Sequence, residues 1–177
     1  MLTTIKLTRT HEIALIGILA ALNIASRIFL QGLPNIKPVT SIIIISVLMF
    51  GLKFGVELSI VTTIVSNLFL GMGIWTFFQI LAWTIICLLS DIINKAFIHS
   101  KHEPPLFLMA LFAFLMGYVF GFFVSLDKLM IGGLKLFIIY YLSGLSFDTL
   151  HAIGNFGFYF VCFPLMKKIF TREISIH

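Results

Sequence analysis

The chain has 177 residues, of which 60% are apolar and only 11% are charged, and its mean hydropathy is +1.12. Because a water-soluble globular chain carries about a quarter charged residues, this composition argues against a soluble fold. One membrane crossing takes about 20 apolar residues, so the length allows roughly five to seven helices. We therefore predict an all-α integral membrane protein in which residues 1–177 form a single domain.

Gly, Pro and charged residues divide the sequence into six apolar runs. These runs are residues 11–30, 40–52, 54–72, 75–97, 106–124 and 144–170. The second run is too short to cross a membrane unaided, and Pro34 and Pro38 precede it. We therefore expect a short helix that is entered from an ordered loop, residues 31–39. Residues 127–143 are apolar but interrupted by two glycines and a lysine, and here we expect a short helix over the membrane mouth.

Six transmembrane helices place both termini on one side of the membrane, and the basic residues then predict which side this is. The termini side carries Lys6, Arg9, Lys53, Lys95, Lys101, Lys167, Lys168 and Arg172. The other side carries Arg27, Lys37, Lys128 and Lys135. The positive-inside rule places the richer side, and thus both termini, in the cytoplasm. The net charge of +5 is therefore interpreted as membrane topology rather than as a sign of a nucleic-acid partner.

Polar residues in or beside the apolar runs lie mostly in the outward half of this topology. Burying each one costs free energy unless it is paired or faces a cavity. Residues 75, 79 and 83 lie along one helical face, as do residues 148, 151 and 155. Two such stripes that converge would form a concave site with aromatic walls. The candidate substrate-binding residues are Arg27, Asn35, Lys37, Asn67, Trp75, Gln79, Trp83, Asp148, His151 and Asn155.

Several of these residues also have a purely structural interpretation. Trp75 can belong to an interfacial aromatic belt, which forms without any ligand. Asp148 and His151 can pair with each other or with the arginine of the first helix. Gln79 and Asn155 can make interhelical hydrogen bonds and nothing more. The coincidence of so many polar residues on one side favours the binding site.

Small residues line one face of the first helix at a spacing of four: Gly17, Ala21 and Ala25. Such a stripe lets another helix approach closely, and that helix can belong to a partner or to the same chain. Gly117 and Gly121 form a similar stripe on the fifth helix, where we favour packing within the chain.

No sequence pattern predicts catalysis or metal binding. The chain has no G-x-x-x-x-G-K-[ST] phosphate loop, no G-x-S-x-G elbow and no H-E-x-x-H helix. Cys87 and Cys162 lie inside apolar runs without metal-ligand spacing, and His99 and His102 belong to a loop that we expect to be solvated. We expect no catalytic residues, no metal and no cofactor, so an intramembrane enzyme is a minority hypothesis.

Three stretches resemble the substrate-binding (S) subunits of energy-coupling factor transporters, a class of ABC importers for vitamins. These are Gly32–Thr40 (GLPNIKPVT), Ser66–Thr76 (SNLFLGMGIWT) with Gln79 and Trp83, and Ser143–Asp148 (SGLSFD) with His151 and Asn155. The resemblance extends from the first helix to Phe170. It implies a six-helix, multi-pass subunit of the cell membrane that captures a vitamin outside the cell.

The resemblance also implies partners and a ligand. The partners are a membrane scaffold (T) subunit and two cytoplasmic ATPases. The family's A-x-x-x-A docking motif corresponds to Gly17 and Ala21 in this sequence. The Pro-Asn-Ile-Lys-Pro loop and the Gly-x-x-x-Trp-Thr turn resemble the members assigned to cobalamin or its precursors. Hydroxymethylpyrimidine, pantothenate and pyridoxine stay open as smaller ligands, as does a membrane assembly subunit that binds none.

Overall fold

The computed structural model of the chain describes residue 5 and residues 7–174, the last four of them by their backbone alone. Over these residues the chain forms six helices and no strand. The helices are α1 (Arg9–Phe29), α2 (Val39–Phe50), α3 (Leu52–Leu70), α4 (Ile74–His99), α5 (Leu106–Ser125) and α6 (Asp127–Ile174). The described residues leave out 1–4, Lys6 and 175–177, as well as the side chain of Arg172. The predicted domain includes all of these, and the predicted charge distribution includes Lys6 and Arg172.

The helical bundle is built around α2. Five helices are long and apolar enough to cross a membrane, whereas α2 has only 12 residues. All of α2 from Val39 to Met49 is buried, because this helix is apolar on every side and the other helices surround it. The predicted short second helix is thus confirmed, and it is the centre of the core.

A single residue, Gly51, separates α2 from α3. Its φ of 92° lies in the region that favours glycine, which allows the chain to reverse direction without a loop. The amide of Gly51 donates a hydrogen bond to the carbonyl of Val47 and closes the last turn of α2. The predicted boundary between these helices, near residue 53, is therefore two residues late.

The prediction that the last helix begins at residue 144, after a separate short helix at 127–143, is wrong. The only break inside α6 is at Gly132 and Gly133, where φ of Gly133 is 68°. The chain reverses there, and residues 134–174 form one continuous helix. Lys135, taken in the sequence as a further interruption, is an ordinary exposed helical residue. At 1.5 Å per residue, this helix is about 60 Å long.

Contacts between helix ends define two ends of the bundle. At the end that we call the Arg9 end, Arg9 pairs with Glu57 at the start of α3, and the ring of Phe50 lies 5.1 Å from that of Phe170. At the opposite, Arg27 end, the last turn of α1 meets the last turn of α3 and the start of α4. The first described residues and the last turns of α6 therefore lie at the same end. That this end faces the cytoplasm stays a prediction.

The two small-residue stripes differ in what they contact. A Cβ added to Gly117 would lie 2.7 Å from the backbone N and Cα of Ala152, so α5 and α6 pack at backbone distance there, as predicted. In contrast, a Cβ on Gly17 would meet nothing within 4 Å, and Ala21 is exposed. Packing within the described chain therefore does not account for the α1 stripe at these two residues.

Candidate functional site

A small cavity lies at the Arg27 end, between α1, α4, α5, α6 and the loop that leads into α2. Its volume is about 80 Å³. We call it the inner cavity, and it is lined by Arg27, Asn35, Lys37, Val39, Gln79, Trp83, Phe120 and His151. Six of these eight residues are predicted site residues.

A larger cavity of about 500 Å³ adjoins it, and we call it the outer cavity. The two cavities share Asn35, Gln79 and Phe120. Most of the other lining residues come from α5 and α6. Among them, Asp148 is buried, whereas Tyr140 and Phe147 are exposed. The outer cavity is therefore open to the surroundings, and the inner cavity is its continuation into the bundle.

The side chain of Arg27 is held by two neighbouring helices, α3 and α4. Its Nη1 donates to the hydroxyl of Ser66 at 2.6 Å, and its Nη2 donates to Oδ1 of Asn67 at 3.0 Å and to Oε1 of Gln79 at 3.4 Å. Asn67 in turn donates to Oε1 of Gln79 and to the hydroxyl of Thr76, both at 2.9 Å. This network fixes the position of the guanidinium, and the whole Arg27 residue is only 8% exposed.

An aromatic wall faces this guanidinium. The ring of Trp83 lies 5.4 Å from Cζ of Arg27, within the range of a cation–π contact, and 4.7 Å from the ring of Phe120. Phe120 also packs edge-on against His151, with the ring centroids 5.1 Å apart. The inner cavity therefore has flat apolar faces beside its polar groups.

A hydrogen-bonded chain connects two residues that line the inner cavity. Nε1 of Trp83 donates to the hydroxyl of Thr40 at 3.1 Å, and that hydroxyl lies 3.1 Å from Nε2 of His151. The Thr40 hydroxyl accepts from Trp83, and the tautomer of His151 decides whether this hydroxyl donates to Nε2 or accepts from it. The opposite ring nitrogen of His151, Nδ1, is buried without a protein partner among the described residues.

The loop before α2 brings a second cation into the inner cavity. Asn35 has a φ of 60°, which asparagine tolerates better than most residues, and its side-chain amide donates to the carbonyl of Phe147 on α6 at 3.1 Å. This bond fastens the loop to α6 and so positions Lys37. Burial lowers the pKa of Lys37 below its usual range, and the charge of Arg27 lowers it further.

The structure brings most of the predicted residues together, but in different roles. Asn67 lies behind the inner cavity and supports Arg27 and Gln79 rather than lining it. Asn155 lies one turn beyond His151; it is fully buried, and its amide has no side-chain partner among the described residues. Its backbone carbonyl accepts from Ser41. Asn155 therefore lines neither cavity.

Two expectations from the sequence are corrected by these positions. Trp75 does not join the other residues: it is 41% exposed, covers Gly73 at the start of α4 and lines neither cavity. The suggestion that Asp148 and His151 pair is also wrong, since His151 binds Thr40 and Asp148 makes no ion pair among the described residues. Asp148 instead lines the outer cavity.

Sequence reasoning missed three residues of the site. Phe120 separates the two cavities, Thr40 links Trp83 to His151, and Ser66 anchors Arg27. Phe120 gave no signal because the chain has 20 phenylalanines. Thr40 and Ser66 lie inside the stretches that carry the family resemblance, so a search of those stretches for buried hydroxyls could have found them.

The polar groups of the site can hold a small molecule by hydrogen bonds and charge. Within the described part of the chain, no group of three or more His, Cys, Asp or Glu side chains is placed to hold a metal ion. Comparison of the chain with protein-family models, with curated proteins and with solved structures gave no match.

Proposed function

We propose that the chain is a multi-pass protein of the cell membrane, with both termini in the cytoplasm, and that it is the S subunit of an energy-coupling factor importer. It captures a vitamin at the Arg27 end, which faces outward, and delivers it through a scaffold subunit and two ATPases. The observation that carries the proposal is the pair of adjoining cavities at this end of the bundle. They gather polar groups from four helices and one loop, and six of the ten residues proposed from the sequence line the inner cavity.

Cobalamin or a precursor is the ligand that the sequence resemblance favours. A site for a drug-sized ligand usually occupies about 300–1,000 Å³, and the two cavities together fall within this range. A corrinoid is much larger than such a ligand, so it would have to extend out of the cavities past residues 31–38. The amides of Asn35 and Gln79 would then meet its edge.

A smaller vitamin is the second candidate, and the size of the cavities favours it. Pantothenate, hydroxymethylpyrimidine or pyridoxine could be enclosed without rearrangement. A flat ring could pack against the aromatic wall formed by Trp83 and Phe120, which contact each other and line the inner cavity.

Docking on the scaffold subunit is proposed to use the exposed face of α1. Gly17 and Ala21 present backbone at the surface without a neighbour from the described chain, and Ala25 continues the stripe half-buried. Such a surface lets a partner helix approach closely. In contrast, the glycines of α5 are already covered by α6 and cannot serve this purpose.

Calorimetry with the purified chain and a panel of vitamins tests the proposal. Replacement of Gln79 or His151 by Ala removes a polar group that lines the inner cavity, and each change should weaken binding by about tenfold or more. The same replacement at His99 and His102, which are exposed at the Arg9 end, is the matched control and should change nothing. If no vitamin of the panel binds, the chain is not a vitamin-capture subunit.

A further inference from the structure

The inner cavity has two cations and no acid. Arg27 and Lys37 both line it, and no Asp or Glu does. The described ion pairs of the chain include neither residue. Asp148 is the acidic residue that lines the outer cavity, and it does not line the inner one.

This arrangement is costly in the absence of a counterion. A buried charge is normally paired, and cations inside a membrane protein usually face a partner, a water-filled space or a ligand. The partners of Arg27 are neutral oxygens of Ser66, Asn67 and Gln79, which orient the guanidinium without neutralising it. Lys37 has no hydrogen-bond partner within the described chain, so its ammonium donors are free to bind a ligand.

We propose that the inner cavity is an anion subsite, in which Arg27 and Lys37 bind a carboxylate or phosphate group of the ligand. The inference rests on the proposed function in taking the two cavities as the ligand site, and it adds the class of ligand: a molecule with an anionic group. At about 80 Å³ the inner cavity can hold such a group but not a whole vitamin. The rest of the ligand lies in the outer cavity.

The surroundings of the two cations fit this orientation. Phe120, which lines both cavities, offers an apolar wall to a ring attached to the anionic group, and Gln79 lies where the two cavities meet. Asp148, which lines only the outer cavity, would repel an anion there and accept hydrogen bonds from a hydroxyl or amine. The ligand is therefore bound with its anionic end innermost.

Fluorescence quenching tests the subsite without any vitamin. The chain has two tryptophans, of which Trp75 is exposed and Trp83 lines the inner cavity. In Trp75→Phe protein, iodide should quench Trp83, and inorganic phosphate should suppress this quenching. In the same background, Lys37→Gln should reduce quenching by iodide at least about threefold, because charged clefts raise the local concentration of counterions. Quenching by neutral acrylamide should not change.

Lys135→Gln is the matched control, since Lys135 belongs to the same end of the bundle but is exposed. Arg27→Gln is a second variant, although it also removes the network that holds α1, α3 and α4. Lys37→Gln disturbs no hydrogen bond of the described chain and so keeps the test independent of folding. If iodide does not quench Trp83, or if Lys37→Gln and Lys135→Gln behave alike, the anion subsite is refuted.

Calorimetry with paired ligands identifies the anionic group. Pantothenate is compared with its alcohol, panthenol, and pyridoxine phosphate with pyridoxine; the anionic member should bind more tightly, and Lys37→Gln should reduce the difference, since only Arg27 then remains to bind the anion. If iodide and phosphate compete at Trp83 but no vitamin binds, the anion subsite stands and the vitamin proposal falls. If vitamins bind without regard to charge and quenching is unaffected by Lys37→Gln, the vitamin proposal stands and the anion subsite falls.

Discussion

Replacing Gly117 by alanine should destabilise the contact between α5 and α6. The new Cβ would lie 2.7 Å from the backbone N and Cα of Ala152, and backbone atoms cannot rotate aside as a side chain can. The two helices would have to separate. Ala152 is adjacent to His151, so the separation would also move His151 away from Phe120, which it now contacts at 5.1 Å.

The size of the effect follows from two opposing contributions. Overpacking of a well-packed contact costs about 1–3 kcal/mol, and a clash with backbone belongs at the upper end of that range. Alanine in place of glycine inside a helix returns about 1 kcal/mol. The net loss is therefore about 2 kcal/mol, or roughly 4–8 °C in the unfolding midpoint of a chain of this length.

Thermal unfolding of the detergent-solubilised protein measures this loss. Gly157→Ala is the matched control, because Gly157 is also in a helix but a Cβ there meets nothing within 4 Å. That variant gains only the helix propensity, about 1 kcal/mol, and should unfold slightly higher than the parent. If Gly117→Ala is as stable as Gly157→Ala, then α5 and α6 do not pack at backbone distance at Gly117 and Ala152.

Three further predictions concern docking, topology and charge. Gly17→Leu should abolish vitamin uptake by cells but leave binding by the purified chain intact, whereas Gly157→Leu, another exposed glycine with open space around it, should spare both. For topology, cysteines are introduced one at a time into a background without the native cysteines. A cysteine in place of Lys101 should react with an impermeant reagent only from the cytoplasm, and one in place of Gly32 only from outside. The reverse pattern would place the two cavities on the cytoplasmic side. Because burial and the charge of Arg27 lower the pKa of Lys37, affinity for an anionic vitamin should start to fall with rising pH before the usual lysine pKa of about 10.4 is reached. Lys37→Arg should retain affinity at that pH, and a parallel decline in both proteins would exclude Lys37 as the cause.

The helices were predictable because apolar runs and Gly, Pro and charge punctuation are local signals. Five of the six helices begin and end within about three residues of the predicted bounds, including the buried α2. The start of α6 was not predictable in the same way. Gly132 and Gly133 break the helix, whereas the apparent interruption at Lys135 does not, and hydropathy cannot separate a lysine that faces outward from one that ends a helix.

The candidate site was only partly predictable, for a physical reason. Helical spacing places Gln79 with Trp83 and His151 with Asp148 on common faces, so their approach to one end of the bundle could be inferred from the sequence. The same spacing does not show how far along the helix the cavity extends, which is why Trp75 was included although it lines neither cavity. Nor does it identify partners across helices, such as Phe120, whose role depends on the packing of α5.

The shortness of α2 determines how deep the site lies. Its 12 residues extend about 18 Å, whereas the hydrocarbon core of a bilayer is about 30 Å thick. If the long helices of the bundle cross such a bilayer, about 12 Å of its depth beside α2 is occupied by the loop that carries Lys37 and by the inner cavity. The anionic end of a ligand would then rest below the level of the lipid headgroups, with part of the distance across the membrane already covered at the moment of capture.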